Sequence, residues 1–255
     1  MFIINESEIE FSKLELLSVK GSECIVYKNN DRVLKIFRKD CKHEHFTIDD
    51  IFKLRIVPTK RILFPTNAIV DKHNNLIGYQ MQLIEGQKDI QKETMQHIFD
   101  EMQALQDDLD LLDTHNIALY DITQSNCIYN GRLYLIDPGN YIINDMSVIK
   151  RQIDPFNLCK DNKKLCREWN ENKINKLFDM LLFSQNSGVD AYKFRLIVQF
   201  FKNEKEKRGV NYNLDVFKDY FDSSLSVNEA IDSFLNEHIK ENPKEREWYL
   251  STYKK

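Results

Sequence analysis

The sequence predicts an α+β architecture in two lobes, the first mostly strand and the second mostly helix. Three observations carry this expectation. Up to about residue 83 the chain alternates short β runs with polar turns. After about residue 92 apolar residues recur at spacings of three and four, with one hairpin interposed. The chain has 255 residues, 42% of them hydrophobic and 11% aromatic, including 16 Phe and 11 Tyr. That is enough for one large domain or two lobes sharing a cleft, and too long for a unit stapled by disulfides or zinc. We therefore expect one domain over residues 1–255, with a first lobe at 1–83 and a second at 84–255.

Each element follows from a local signal. Leu14 to Val19 reads as a strand ahead of Gly21. Cys24 to Tyr27 and Arg32 to Phe37 read as two strands around an Asn29-Asn30-Asp31 turn. Thr47, with Asp50 three positions later, marks a helix N-terminus before Ile51, Leu54 and Val57, and Pro58 closes it. Ala68 to Val70 and Leu76 to Met81 straddle His73-Asn74-Asn75, and Glu85-Gly86 ends the run. From Lys92 to His115, the residues Met95, Ile98, Phe99, Met102, Leu105, Leu109 and Leu112 mark one helix face. Further helices are expected around Ile174 to Phe183, at Ala191 to Phe201, and from Ser226, which forms a capping-box pattern with Glu229, to about Lys240 before Pro243. The basic-polar run Asn203 to Arg208 reads as a solvated helix end or loop.

Composition excludes several classes of function. The formal charge of −4, from 36 basic and 40 acidic residues, gives no global pull towards nucleic acid or anionic membrane. The five cysteines are odd in number and form no C-x-x-C pair, so they read as reduced thiols in a cytoplasm. No basic-then-apolar leader opens the chain, and no apolar run approaches the roughly 20 residues that span a bilayer. The expectation is a cytoplasmic protein with no nucleic-acid partner and no membrane insertion.

The chemistry concentrates between Ile117 and Tyr141. Asp121 leads through Asn126 into a strand, an Asn130-Gly131 turn, a second strand and then Asp137-Pro138-Gly139. Asn-Gly favours a two-residue hairpin loop because both positions need positive φ. That loop would put Tyr129 opposite Arg132, Asn126 opposite Leu135 and Gln124 opposite Asp137. Asn126 and Asp137 would then be diagonal neighbours on one face, roughly 7–8 Å apart, near enough for amide oxygen and carboxylate to hold one hard cation. Asp121, just before the first strand, would lie at the same open end. Singly, these are ordinary turn formers. The strands between them, however, are apolar on both sides, and polar groups at the end of a buried hairpin need partners, which a metal and phosphates would supply.

Asp121-x-x-x-x-Asn126 followed by Asp137-Pro138-Gly139 resembles the catalytic loop and metal-binding D-F-G segment of the protein-kinase superfamily. Other segments match in the same order. Gly21 to Tyr27 resembles the glycine-rich loop, Val33-Leu34-Lys35-Ile36 the strand with the phosphate-binding lysine, and Met81 to Gly86 the end of the fifth strand and the hinge. The long helix leads into the catalytic loop as in that family. The matching order covers about residues 14 to 141. It implies a two-lobed protein-kinase-like fold holding ATP and Mg²⁺ between the lobes. Asp121 would be the base, Lys35 the phosphate ligand, Asn126 and Asp137 the metal ligands, Gly21 and Val26 part of the nucleotide cover, and the backbone of Met81, Gln82, Leu83 and Ile84 the adenine edge. The acidic partner of Lys35 is either Asp50 or Glu44, and Asp50 is equally explained as a helix cap.

Departures from the family bear on function. Val19 and Cys24 stand where two loop glycines would be, Leu119-Tyr120 replaces the His-Arg pair, Thr123 replaces a common lysine, Pro138 replaces the D-F-G phenylalanine, and no A-P-E motif follows Gly139. The resemblance implies transfer of the γ-phosphoryl group of ATP to a hydroxyl, foremost Ser or Thr on a protein, with a small-molecule acceptor as the other possibility. A pseudokinase scaffold and a nucleotidyl transferase of the same fold are the alternatives.

Overall fold

The computed structural model describes residues 2–19, 24–39, 47–119, 126–136, 141–143, 188–208 and 214–252. Its N-terminal part is a sheet of six strands: β1 (Ile3–Asn5), β2 (Glu15–Ser18), β3 (Cys24–Asn29), β4 (Arg32–Phe37), β5 (Asn67–Val70) and β6 (Leu76–Gln82), ordered β1-β5-β6-β4-β3-β2. Strands β2 to β6 fall where β-favouring runs and turn residues put them. Asn30 and Asn74 take positive φ, +55° and +62°, in the two turns, a conformation Asn tolerates better than most residues. Strand β1 was not expected. It runs parallel to β5, with Ile3 opposite Ala68, and the Ala68 amide donates to the Phe2 carbonyl at 2.9 Å. Three residues are too few to show a period of two.

Helix α1 (Ile48–Arg55) starts from the expected reciprocal cap between Thr47 and Asp50. Helix α2 (Met95–Thr114) is capped by Thr94, and all seven apolar positions of its predicted stripe are buried in the main core. A turn with Asn116 at φ +53° leads into β7 (Ile117–Leu119), which pairs antiparallel with β10 (Tyr141–Ile143).

The hairpin β8 (Cys127–Tyr129) and β9 (Leu133–Leu135) forms, but its register corrects the expected one. Gly131 takes a positive φ of +103°, but Asn130 does not, so the expected turn with both positions at positive φ is not the one adopted. Tyr129 lies opposite Leu133, and Cys127 opposite Leu135. Arg132 is taken up as a third loop residue, so every pair slips by one. The Ile136 amide donates to the Asn126 carbonyl at 2.9 Å, which sets Ile136 rather than Leu135 across from Asn126. A slip of one residue exchanges faces, so the pleat no longer argues for Asn126 and Asp137 sharing a side. Asp137 itself lies outside the described residues.

Four helices follow among the described residues: α3 (Gly188–Arg208), α4 (Leu214–Tyr220), α5 (Val227–His238) and α6 (Pro243–Thr252). Helix α3 extends the expected one at both ends and takes in the Asn203 to Arg208 run. Helix α5 opens on the expected box between Ser226 and Glu229. Pro243 not only stops the preceding segment but begins α6, a position that suits its fixed φ and missing N–H. The expected helix at Ile174 to Phe183 lies outside the described residues. Phe201, Phe217, Phe221 and Phe234 are buried together, with ring centroids 4.9 Å apart for Phe201–Phe217 and for Phe221–Phe234. Backbone bonds join this part to the start of α2: Met95 N–H to Leu225 at 2.8 Å, and Val227 N–H to Glu93 at 2.9 Å. Among the described residues no helix is long and apolar enough to cross a membrane.

Candidate functional site

Residues directly opposite each other in a sheet share a face. The registers set Val26, Lys35 and Tyr79 side by side across β3, β4 and β6, and one step along the strands Lys28, Val33 and Met81. Val33 and Met81, buried with Leu63, form an apolar cluster on which Val26, Tyr79, Leu83, Ile84, Tyr134 and Ile136 pack. The cluster thus takes residues from the sheet, from the segment leaving β6 and from β9 and its end. Lys35 lies on the same sheet face and is only 6% exposed. Its Nζ is 5.8 Å from the centroid of the Tyr79 ring.

Behind Lys35 the backbone is crowded. Gly78 lies across from Ile36, and a Cβ placed there would come within 2.3 Å of the Lys35 carbonyl oxygen. Glycine lets β6 approach β4 closely where the lysine is presented.

The segment after β6 is held from two sides. From the sheet, the Asp31 carbonyl accepts the Leu83 amide at 3.0 Å and the Lys28 ammonium bonds the Glu85 carboxylate. That hydrogen bond and the charge of Glu85 hold the Lys28 pKa above its ordinary range. From the hairpin, the Asn130 side-chain amide donates to the Glu85 carbonyl at 3.2 Å, and the Tyr129 carbonyl accepts the Lys88 amide at 2.7 Å.

Of the residues named from the sequence, Val26, Met81, Leu83 and Ile84 meet in this cluster, and Lys35 lies on the same sheet face. Gln82, the last residue of β6, is exposed. Asn126 is half-buried beside Ile136, its carbonyl fixed by the Ile136 amide. Asp50 does the work of a cap: its carboxylate accepts the Thr47 amide at 2.8 Å and the Thr47 hydroxyl at 2.7 Å, and lies 3.9 Å from the Lys53 ammonium. Gly21, Glu44, Asp121 and Asp137 lie outside the described residues. Among the described residues no three His, Cys, Asp or Glu side chains gather as a metal site. Burial pushes the thiol of Cys127, in β8, up to about 12, so it is no nucleophile near neutral pH.

The buried carboxylates of α2, Asp113 among them, went unread in the sequence. Asp108 (2% exposed) and Glu101 (7%) lie on the core side of α2. Asp108 accepts three consecutive backbone amides, Lys60 at 3.0 Å, Arg61 at 2.6 Å and Ile62 at 2.9 Å. Glu101 takes the Arg61 guanidinium at 2.9 Å through one oxygen and the Leu133 amide at 2.8 Å through the other. The signal was available, since both sit three or four residues from apolar members of the predicted stripe, where a charge has to find partners. Tyr79 was readable too, because it alternates with Met81. Tyr134 and Ile136 were hidden by the register slip.

A buried ammonium next to an apolar cluster built from three chain segments suits a ligand with a flat apolar ring and an anionic tail. No protein-family model matches the chain, and no curated protein sequence matches it.

Proposed function

We propose that this chain is an ATP- and Mg²⁺-dependent phosphotransferase of protein-kinase-like type, two-lobed and cytoplasmic, moving the γ-phosphoryl group to a hydroxyl acceptor, foremost Ser or Thr on a protein. The observation that carries the reading is Lys35, buried on the sheet face that also bears Val26, Val33 and Met81, with Leu83 and Ile84 following on. Val33 and Met81 offer apolar walls for an adenine ring, and the backbone of Leu83 and Ile84 lies beside them. Lys35 neutralises phosphate charge. Asn126, with Asp137 by the sequence resemblance, would hold Mg²⁺, which when bound neutralises the phosphates further. Asp121, also by resemblance, takes the proton of the acceptor hydroxyl. This division asks of the protein mainly positioning and charge neutralisation, which is what phosphoryl transfer needs.

The test uses ATP labelled separately at the γ- and α-phosphates, with wild type, Asp121→Asn and Asp137→Ala, in the absence and presence of lysate. Transfer of γ-label by wild type, lost in Asp121→Asn while ATP binding persists, is the expected result. Asp137→Ala should lose Mg²⁺-dependent ATP binding and transfer yet remain folded. Transfer of α-label would replace the reading with nucleotidyl transfer. ATP binding without any transfer would replace it with a pseudokinase scaffold.

A further inference from the structure

Glu101 and Asp108 belong to a helix that offers no residue to the nucleotide reading, yet both charges are buried. A buried carboxylate is retained at a cost unless its partners compensate it. Here the partners are all in one place: the segment 60–63 and the strand β9. Asp108 gathers the Lys60, Arg61 and Ile62 amides, and Glu101 holds the Arg61 side chain and the Leu133 amide. Segment 60–63 then runs beside β9. Leu135 N–H donates to the Arg61 carbonyl and Leu63 N–H to the Leu135 carbonyl, both at 2.8 Å. One residue further, Ile136 N–H fixes the Asn126 carbonyl at 2.9 Å. The chain of bonds therefore runs from α2 through Arg61 and Leu135 to Asn126.

We propose that Glu101 and Asp108 are positioning residues that set the register of β9 and thereby the placement of Asn126 as a metal ligand. They touch neither nucleotide nor metal. The inference rests on the phosphotransferase reading for its metal half, while its structural half stands independently. Glu101 grips β9 itself through the Leu133 amide, and Asp108 fixes the neighbouring segment that pairs with Leu135, so a slide of the strand by one residue breaks the Glu101–Leu133 bond and both bonds to the segment. That matters in this hairpin, because an Asn-Gly pair also favours a two-residue loop, which would shift the pairing by one.

The test compares wild type with Glu101→Gln, Asp108→Asn and, as a stability control, Leu235→Ala in helix α5, a buried residue that bonds neither segment 60–63 nor β9. Glutamine keeps an oxygen for the Leu133 amide but loses the charge facing Arg61. Asparagine keeps one oxygen where Asp108 has two. Two readouts are taken: amide exchange at Leu63, Leu135 and Ile136 by NMR, and the Mg²⁺ concentration giving half-maximal MgATP binding. Both polar variants are expected to exchange faster at the three amides than Leu235→Ala at matched melting temperature. They should also need about tenfold more Mg²⁺, the order of loss seen when the partners of a metal ligand are removed. Binding of ATP without metal should change less. Unchanged exchange at Leu135 and Ile136 would overturn the positioning role. Faster exchange with an unchanged Mg²⁺ requirement would show the two carboxylates to be purely structural, and the proposal would fail. If wild type binds no MgATP, the functional reading and the metal half fall together, and the exchange data still decide whether these carboxylates set the strand.

Discussion

Lys35 is where the nucleotide reading becomes a measurable quantity, because a lysine this deeply buried has lost most of its hydration and is held beside an aromatic ring. Its position followed from alternation alone: Val33, Lys35 and Phe37 had to share a face, and Val33 is in the core. What alternation could not tell is which neighbours β3 and β6 bring to it, since Val26 and Tyr79 are set by register between strands distant in sequence. Lys35→Met keeps the length and apolar stem and removes the charge. A hydrogen bond to a charged group contributes about 1.5–3 kcal/mol, so ATP affinity by calorimetry should fall by about 10- to 100-fold, while the unliganded protein stays folded by circular dichroism. Undiminished affinity in a folded variant would remove Lys35 from the phosphate site.

The pairing of β4 with β6 depends on Gly78 in a way no propensity scale records. Alanine there would face the Lys35 carbonyl at 2.3 Å, and a carbonyl fixed in a sheet cannot swing aside as a flexible side chain would. Gly78→Ala should cost about 1–3 kcal/mol, the usual price of overpacking, read as a lower urea midpoint at unchanged slope. A midpoint equal to that of wild type would mean that the two strands separate at that point without penalty. Elements of this kind were legible wherever a period and a terminator coincided: β3 to β6, α1, α2 and the start of α5 all stand close to where the sequence put them. The exceptions have physical causes. Strand β1 is too short to show a period and owes its existence to pairing with β5. Pro243 carries the same signature whether it ends a helix or begins one. The hairpin turn stands where Asn130-Gly131 put it, but only Gly131 takes the expected positive φ and the loop is longer by one residue, because Arg132 can sit either in the loop or in the strand. The burial of Glu101 and Asp108 on α2 needed the segment 60–63 beside it before it made sense.

Across the molecule, helix α2 links β7, the hairpin and the C-terminal helices. One stretch of its stripe packs with Ile62 and Leu135 from the sheet side and hairpin, and the same core cluster includes Phe217, Val227 and Phe234 from the C-terminal helices. Its first turn is bonded to Leu225 through the Met95 amide, and Glu93 just before it accepts the Val227 amide. Among the described residues the sheet is joined to this assembly by segment 60–63 through Asp108 and by the stretch 83–88 through Asn130 and Tyr129. Such cross-bracing makes it costly to remove the end of the chain. In a fragment of residues 1–187 the stripe loses its cover from α4 and α5. Re-exposing only Met95, Phe99 and Met102 costs about 5–9 kcal/mol at roughly 1.5–3 kcal/mol for each side chain, comparable with the whole net stability of a typical domain, about 5–15 kcal/mol. The fragment is therefore expected to show no cooperative thermal transition and to bind a hydrophobic dye, although it retains the entire sheet, α2 and the hairpin. Full-length protein should unfold in one step, with far-UV circular dichroism and dye binding coincident. If the fragment melted cooperatively near the full-length temperature, the sheet and α2 would form a unit stable without the C-terminal helices, and α3 to α6 would have to be regarded as an appended domain rather than as half of the core.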